Sequence, residues 1–239
     1  MIQIAKIEYI DGDTVLEGYC ALDDTKPGKK PAVIVAHDWS GRNDFACQKA
    51  EKLAELGYVG FALDMYGRRI IGKTNEEKSA LIKPFMEDRA LLRRRILAAL
   101  ATVQELEVVN TASIAVMGFC FGGLCALDLA RSGADIRGAV SFHGLLNAPT
   151  GIPQEKIVAK VLALHGHDDP MVPPAQVADF QKEMTDAKVD WQFHTFGNVM
   201  HGFTNPVAHD PKFGTVYDGL ADKRSWVIAR EFFAEIFAS

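Results

Sequence analysis

Short apolar runs with the character of buried strands alternate along this chain with longer segments of helical periodicity. The run P-A-V-I-V-A-H, for example, is almost wholly apolar, as strands of a parallel sheet with both faces covered usually are. Strands that alternate with helices in this way form βαβ units. The sequence therefore predicts an α/β fold, in which a mostly parallel sheet carries helices on both faces.

Glycine and proline positions place the ends of the predicted elements. Two N-terminal strands, over residues 2–10 and 13–21, are joined at Asp11-Gly12, which is a strong β-hairpin signal. Further strands are predicted over 31–37, 58–63, 113–117, 138–142, 161–165 and 189–196. Helices are predicted over 45–56, 88–107, 124–131, 175–187 and 222–237, and Pro84 is expected to break a helical stretch before residue 88. There is no repeat or linker, so residues 1–239 are expected to form one domain.

Composition and charge argue against several functional classes. The net charge of −5 argues against non-specific binding of nucleic acid, which needs a basic surface. No apolar run approaches the roughly 18 residues of a membrane span, and the first residues lack the features of a signal peptide. The four cysteines form no C-x-x-C pair, and free thiols without an export signal indicate the reducing cytoplasm.

The segment M-G-F-C-F-G-G lies where a predicted strand becomes a predicted helix. From Gly118 to Gly122 it has the form of the nucleophile elbow G-x-S-x-G, with Cys120 in place of serine. The sharp turn leaves no room for side chains two positions away, and it presents the thiol at a helix N-terminus. There the helix dipole favours a thiolate and a developing oxyanion. The alternative is a tight turn with a buried cysteine that only packs.

Two later segments contain the partners that a cysteine nucleophile needs. The run L-A-L-H-G-H-D-D-P-M-V-P ends a strand in Asp168 and Asp169, and N-V-M-H-G-F places His201 in a loop before the last helix. Singly, such an aspartate is more often a turn residue, and such a histidine is usually solvated. The order of nucleophile, acid and histidine is that of an α/β-hydrolase fold, which favours a catalytic triad.

The chain resembles the dienelactone hydrolase family of α/β-hydrolases over nearly its whole length. The resemblance rests on these motifs, on V-I-V-A-H-D-W-S-G-R-N and on the tail Y-D-G-L-A-D-K-R-S-W. The resemblance implies a carboxymethylenebutenolidase-like enzyme that cleaves a small-molecule ester or lactone. It implies Cys120 as the nucleophile, His201 as the general base and acid, and an aspartate that orients the imidazole. Alignment on the following V-P favours Asp169 over Asp168. No cofactor and no metal ion are expected.

The resemblance also implies supporting groups around the nucleophile. The backbone N–H groups of Phe121 and Trp39 would form the oxyanion hole, and the Trp39 ring would either line the pocket or merely pack. Asp38 stands where family members have a glutamate close to the thiol. It would either hydrogen-bond Cys120 or cap the loop before Gly41.

This chain departs from the family at the positions that bind a substrate carboxylate. The characterised dienelactone hydrolases use arginines, one of them a few residues after the catalytic histidine, where this chain has Asn205. A neutral amide does not supply the bidentate, charge-assisted bonds of a guanidinium. Arg42, Arg68 or Arg69 would substitute from neighbouring loops, or they are simply solvated. The departure counts against dienelactone as the natural substrate.

Other histidines and cysteines are interpreted as structural. His143, at the end of a strand, either faces the pocket or makes a structural hydrogen bond. His165 and His167 lack the ligand spacing of zinc sites, and Cys125 lies inside the helix that follows the elbow.

Two other functions stay open. Class I glutamine amidotransferases also use a G-x-C-x-G elbow, but they pair the cysteine with a histidine and a glutamate two residues apart. Here Gly202 and Phe203 follow His201. The third function is a non-catalytic binding module with the same fold. The sequence leaves the oligomeric state open.

Overall fold

The computed structural model describes residues 1–238 of the chain. Its strands are β1 (Ile2–Asp11), β2 (Thr14–Asp23), β3 (Lys30–Ala36), β4 (Val59–Ala62), β5 (Val109–Phe119), β6 (Gly138–Phe142), β7 (Lys160–Gly166), β8 (Trp191–Phe196), β9 (His209–Asp210) and β10 (Thr215–Val216). Its helices are α1 (Asp44–Glu55), α2 (Asn75–Glu87), α3 (Arg89–Gln104), α4 (Phe121–Arg131), α5 (Pro174–Asp186) and α6 (Gly219–Ala238). The predicted strands and helices are present with ends that differ by a few residues, and the short pair β9 and β10 is an addition.

Contacts divide the chain into two compact units, Met1–Met117 and Gly118–Ser239, and the expectation of one domain stays a prediction. In the first unit, β1 and β2 form the predicted hairpin, with Gly12 at a φ of 58° in the turn. Strand β2 is antiparallel to β4, and β4 is parallel to β3. Helix α1 packs on β2, β3 and β4, while α3 packs on β1 and β3.

In the second unit, β6, β7 and β8 are parallel neighbours. Every residue of β6 is buried, and both α4 and α6 pack against this strand. A strand without an exposed side has both faces covered, as expected of a parallel sheet. The sheet order is β1-β2-β4-β3-β5-β6-β7-β8, which confirms the predicted α/β fold with a mostly parallel sheet. None of the helices described up to residue 238 has the length and apolar character that crossing a membrane requires.

The break predicted at Pro84 falls at Asp88 instead. Pro84 lies near the end of α2, and its carbonyl still accepts the N–H of Asp88 at 2.9 Å, so the helix continues past it. Pro84 lacks the N–H for a bond to the preceding turn, and α2 ends soon after it, at Glu87. Asp88 has an extended backbone, and its side chain caps α3 by accepting the N–H groups of Ala90 and Leu91.

A buried ion cluster around Arg131 fixes the loop after β6. The Arg131 side chain is fully buried and forms two bonds to Glu183, of 2.8 and 2.7 Å, and one of 3.3 Å to the buried Asp128. It also donates to the carbonyl groups of Leu146 and Asn147. Because the loop carbonyls bind a side chain of α4 that also pairs with α5, this cluster ties the loop to both helices.

We expect Arg131→Met to lower the free energy of unfolding by about 3–5 kcal/mol, because it leaves the buried Asp128 carboxylate without its guanidinium. Urea unfolding followed by circular dichroism measures the effect. Arg230→Met is the matched control, since Arg230 is 42% exposed and its ion pair with Glu231 is long, at 3.9 Å. It should change stability by about 0.5 kcal/mol or less. Equal losses in the two variants would contradict a special role for the cluster.

Candidate active site

Cys120 lies at the turn between β5 and α4, where the elbow pattern predicts it. Its φ of 56° and ψ of −117° are strained for a residue with a Cβ. Its carbonyl accepts the N–H groups of Gly123 and Leu124, and its own N–H donates to the carbonyl of Phe142 at 3.0 Å. These bonds hold the strained turn at the end of β6, and the cysteine stays partly exposed.

The glycines of the elbow have a steric cause. A Cβ on Gly118 would overlap the carbonyl group of Gly122 in the first turn of α4. Because strand and helix approach so closely, α4 begins at Phe121, three residues before the predicted start at Leu124. Phe121 therefore follows the nucleophile directly at a helix N-terminus, where backbone N–H groups favour an anion.

Asp169 and His201 are joined by a short hydrogen bond. Asp169 lies in the turn after β7, and its Oδ2 is 2.8 Å from Nδ1 of His201. An ionised carboxylate only accepts, so Nδ1 carries the proton and Nε2 is the other reactive position of the ring. Asp169 is 4% exposed and His201 is 1% exposed, so water competes little with this bond. The second carboxylate oxygen of Asp169 accepts the N–H of Met171 at 2.8 Å, which fixes its orientation.

Asp168 precedes Asp169 in the same turn. Its side chain is exposed, and its backbone N–H donates to the carbonyl of Val199 at 2.9 Å. The structure thus brings Asp169 to His201 and leaves Asp168 as a surface residue of the turn. Neighbouring His165 is buried, and burial lowers the pKa of its imidazole.

The surroundings of His201 favour its charged form. Burial alone would lower the pKa of the imidazole, but the negative charge of Cys120 and the hydrogen bond to Asp169 outweigh it and raise the pKa to about 10. Among residues 1–238, Nε2 of His201 makes no hydrogen bond of good geometry. A weaker hydrogen-bond interaction with Cys120 still helps to raise the pKa of the imidazole. Catalytic hydrogen bonds are often long before substrate binds. The charge of the thiol and the carboxylate of Asp169 therefore act on the two sides of one imidazole.

The backbone of His201 forms an isolated parallel bridge with Thr215 of β10. Its N–H donates to the carbonyl of Gly214 at 3.1 Å, and its own carbonyl accepts the N–H of Val216 at 3.0 Å. Gly214 has a φ of 86°, and a Cβ there would overlap the ring of Pro170, which follows Asp169. The hairpin thus fixes the histidine and packs against the turn that holds the acid.

The loop after β3 lies in the first unit. The Asp38 carboxylate accepts the N–H of Ser40 at 2.8 Å, so it caps this loop, which is one of the two roles expected for it. The Trp39 carbonyl accepts the hydroxyl of Tyr66 at 2.9 Å, and the ammonium of Lys78 lies 5.4 Å from the centre of its half-buried ring. The oxyanion role of the Trp39 N–H stays a prediction.

Arg42 is bound within the first unit. Its guanidinium is 1% exposed and donates to the carbonyl of Glu17 at 2.7 Å, to the carboxylate of the same residue, and to Sγ of Cys47 at 3.4 Å. With Arg69 it lines a cavity of about 280 Å³; the other lining residues are Lys6, Tyr19, Asp44, Cys47, Gln48 and Glu51. These bonds argue against Arg42 as the ligand of a substrate carboxylate.

Arg68 and Arg69 are exposed and both adopt left-handed backbone conformations, with φ of 47° and 56°. The buried Asp64 carboxylate fixes this turn by accepting the N–H groups of Gly67 and Arg69. Arg69 approaches Asp44 at 3.7 Å. Arg68 therefore stays the freest of the predicted candidates for a carboxylate ligand.

Asn205 shapes the loop after His201. Its side-chain oxygen accepts the N–H of Val207 at 3.2 Å, and its backbone N–H donates to the carbonyl of Gly202. These are turn contacts, and they differ from the guanidinium clamp that the family has nearby. His143, the remaining predicted pocket residue, lies beside His201, with ring centres 5.1 Å apart.

The sequence reasoning missed Thr204 and Gly214. Thr204 is 1% exposed and lies 2.8 Å from Nε2 of His143, and Gly214 binds the backbone of His201. The three-residue spacing from His201 to Thr204 is a weak signal, and nothing in the sequence near Gly214 marks its role. No group of three or more His, Cys, Asp or Glu residues that could hold a metal ion lies within residues 1–238.

Known proteins resemble this chain over nearly its whole length. The model of the dienelactone hydrolase family matches residues 16–237. The crystal structure of P91, a dienelactone hydrolase-like promiscuous phosphotriesterase from metagenomic libraries, has a TM-score of 0.93 and 36% identity, and the match covers 99% of both chains. A Bradyrhizobium protein named "Probable 2-oxo-3-(5-oxofuran-2-ylidene)propanoate lactonase" is 28% identical over 83% of this chain and 81% of its own. A Yersinia pestis protein named "Putative carboxymethylenebutenolidase" is 25% identical over 88% of this chain and 82% of its own.

The family match includes the elbow, the turn after β7 and the loop of His201. P91 shares the fold over its full length. This chain therefore belongs to the dienelactone hydrolase family, a family of hydrolases, as its motifs predict.

Proposed function

We propose that Cys120, His201 and Asp169 form a catalytic triad that hydrolyses an ester or lactone through a thioester intermediate. The observation that carries this proposal is the buried bond of 2.8 Å between His201 and Asp169, on an imidazole whose pKa is raised by the charge of Cys120. A cysteine next to a charged imidazole is the usual form of an activated thiol nucleophile. The extent of the family match supports a single domain for residues 1–239.

Acylation uses the thiolate of Cys120, whose proton resides on Nε2 of His201. The sulfur attacks the carbonyl carbon, the carbonyl electron pair moves to oxygen, and the oxyanion accepts hydrogen bonds from the N–H groups of Phe121 and Trp39. Collapse re-forms the carbonyl and breaks its bond to the leaving oxygen. That oxygen takes the proton from Nε2 and leaves as an alcohol, or stays attached when the substrate is a lactone.

Deacylation uses the same groups in the reverse sense. A water molecule gives a proton to Nε2 of His201 and attacks the thioester carbon, while Asp169 stabilises the imidazolium through Nδ1. The second oxyanion collapses, the carbon–sulfur bond breaks, and the carboxylic acid leaves. Cys120 returns as a thiolate beside the charged imidazole, so both atoms and charge are restored.

We propose that the substrate is neutral at the position where dienelactone carries its carboxylate. Asn205 binds the backbone of its own turn, and Arg42 is held by Glu17. Arg68 is the guanidinium that would have to replace the family's clamp, and a single exposed arginine gives weaker recognition than a bidentate buried pair. A neutral phosphotriester is a second candidate substrate class, because P91 is named a promiscuous phosphotriesterase and matches 99% of this chain at 36% identity.

Hydrolysis of a small substrate panel tests this function. The panel holds dienelactone, a neutral unsaturated lactone, p-nitrophenyl acetate, p-nitrophenyl butyrate and paraoxon. We expect kcat/KM for the neutral lactone to exceed that for dienelactone by about tenfold or more, since an unmatched carboxylate must lose its hydration. The enzyme with Cys120→Ala gives the background for each compound.

Each outcome of this panel separates two functions. Preferential, Cys120-dependent turnover of dienelactone would contradict the neutral substrate but keep the triad. In a separate assay with glutamine, release of ammonia above the Cys120→Ala background would support an amidotransferase instead. An absence of Cys120-dependent turnover for every compound would contradict the proposed mechanism and favour a binding module.

A further inference from the structure

His143 occupies a strained position at the carboxyl end of β6. It is 2% exposed, and its φ of 39° lies in the left-handed region that a histidine rarely adopts. Such strain persists only where the surrounding structure enforces it, and it is concentrated at functional sites. The elbow residue Cys120, at the end of β5, also has a left-handed φ, of 56°.

The backbone next to His143 connects the segments that carry the triad. The carbonyl of Phe142 accepts the N–H of Cys120 at 3.0 Å. The N–H of His143 itself donates to the carbonyl of Leu164 in β7, the strand that leads to Asp169, at 2.8 Å. The end of β6 is therefore bonded on one side to the nucleophile and on the other to the strand of the acid.

The side chain of His143 reaches the third segment, the loop of His201. Its Nε2 is 2.8 Å from Oγ1 of the buried Thr204, three residues after the catalytic histidine. Its ring meets that of His201 edge-on, at 5.1 Å and 67° between the planes, and that of Phe203 at 5.0 Å and 76°. One side chain thus contacts both the imidazole and the loop that carries it.

These contacts restrict a motion that the other bonds of His201 leave open. The hairpin fixes the backbone of His201, and Asp169 binds one ring atom. A single bond at Nδ1 still lets the ring tilt about the line between the two residues. The next residue, Gly202, is left-handed with a φ of 70°, and its missing side chain makes this stretch of backbone easy to move. The edge of the His143 ring opposes the tilt of the His201 ring, and the bond from His143 to Thr204 opposes movement of the backbone at Gly202.

We propose that His143 is a positioning residue that sets the tilt of the His201 imidazole toward Cys120, acting through its ring contact and through Thr204. This inference rests on the proposed function, in which Nε2 of His201 serves the thiol and the hydrolytic water. A tilt of the ring displaces Nε2 while leaving the bond to Asp169 nearly intact. Both proton transfers require Nε2 to stay in place, so its displacement should slow the reaction. Substrate binding does not depend on the position of Nε2 in this way.

The test uses His143→Asn, Thr204→Val, the double variant and Thr204→Ser. Asparagine tolerates the left-handed backbone but removes the ring, and valine keeps the shape of threonine without its hydroxyl. We expect His143→Asn to lower kcat for p-nitrophenyl acetate by about 10- to 100-fold, and Thr204→Val by about 5- to 20-fold, with KM within about threefold of wild type. Thr204→Ser keeps the hydroxyl and should restore kcat to within about threefold. The matched control is His194→Asn, on β8.

The double variant shows whether His143 and Thr204 act through the bond between them or affect kcat independently. If both residues act through one bond, its kcat falls no further than that of His143→Asn. If the kcat losses of the two single variants multiply in the double variant, Thr204 does not act through its bond to His143, and that part of the proposal is overturned. A folded His143→Asn enzyme with kcat within about threefold of wild type, or with the loss confined to KM, would overturn the whole proposal. Should His143→Asn fail to fold, the comparison of Thr204→Val with Thr204→Ser decides, and equal rates would contradict the proposal.

A second readout does not depend on ester hydrolysis. The rate at which iodoacetamide alkylates Cys120 at pH 7 reports how well the charged His201 is placed beside the sulfur. We expect this rate to fall by about 3- to 10-fold in His143→Asn and to stay unchanged in His194→Asn. A slower alkylation together with no Cys120-dependent turnover of any substrate would keep the positioning role and reject the proposed function. An unchanged alkylation rate in a folded His143→Asn protein would contradict the positioning role.

Discussion

Replacing Cys120 with alanine is expected to lower kcat/KM for p-nitrophenyl acetate by about 10⁴-fold or more, because no other group can form the acyl-enzyme. The helix N-terminus at Phe121 remains in this variant, so transition-state stabilisation by backbone N–H groups gives only the small residual rate. Electrospray mass spectrometry after rapid quenching should detect the acetylated wild-type enzyme and no acetylated variant. The steady-state assay gives the size of the loss.

Cys125→Ala is the matched control for this experiment. Cys125 lies in the same helix and is fully buried, so its replacement tests the loss of a thiol without touching the elbow. We expect activity within about twofold of wild type and a stability loss of about 1 kcal/mol. A Cys120→Ala enzyme that keeps about one tenth of the wild-type rate would contradict the nucleophile assignment. A comparable loss in Cys125→Ala would show that folding, and not chemistry, is affected.

Asp169→Asn is expected to lower kcat by about 10³- to 10⁴-fold, because an amide stabilises the wrong tautomer of His201 and does not balance an imidazolium. The amide oxygen can still accept the N–H of Met171, so the turn should keep its shape. Burial lowers the pKa of His201, whereas the hydrogen bond and the charge of Asp169 raise it. The variant should therefore lose the proton of His201 at lower pH than wild type, which histidine NMR signals measure.

Asp168→Asn differs by one position and should leave kcat within about threefold of wild type, as expected for an exposed turn residue. The two variants have the same charge and the same composition, so any difference in rate reports the position alone. Similar losses would mean that the acidic turn acts as a whole. A larger loss in Asp168→Asn would reverse the assignment of the triad acid.

Features decided within a few residues could be predicted from the sequence. The hairpin at Asp11-Gly12 and the elbow around Cys120 depend on local backbone sterics, which glycine positions report. The helix break predicted at Pro84 lies four residues later, at Asp88, where the aspartate side chain caps the next helix. Local rules thus locate an element better than they locate its end.

Contacts between distant segments could not be predicted in the same way. His143 and Thr204 are 61 positions apart, and Arg42 and Glu17 are 25 apart. Their pairing depends on which strands are neighbours and on the direction of each side chain, and neither is written in a local pattern. The motifs therefore named the reacting groups, whereas the positioning groups needed the folded chain.

The backbone bonds of His201 to Gly214 and Val216 hold the catalytic residue independently of the surface segment that follows it. The histidine is held at a fixed register, and the segment from Asn205 to Phe213, which includes β9, carries the exposed side chains of Val207 and Phe213 on loops at either end of that strand. Insertions, deletions or new side chains in that loop can change its length and polarity while both of its ends stay anchored. Variation there would alter which molecules reach the nucleophile without altering how they are cleaved, so this hairpin is a suitable starting point for laboratory evolution of substrate range.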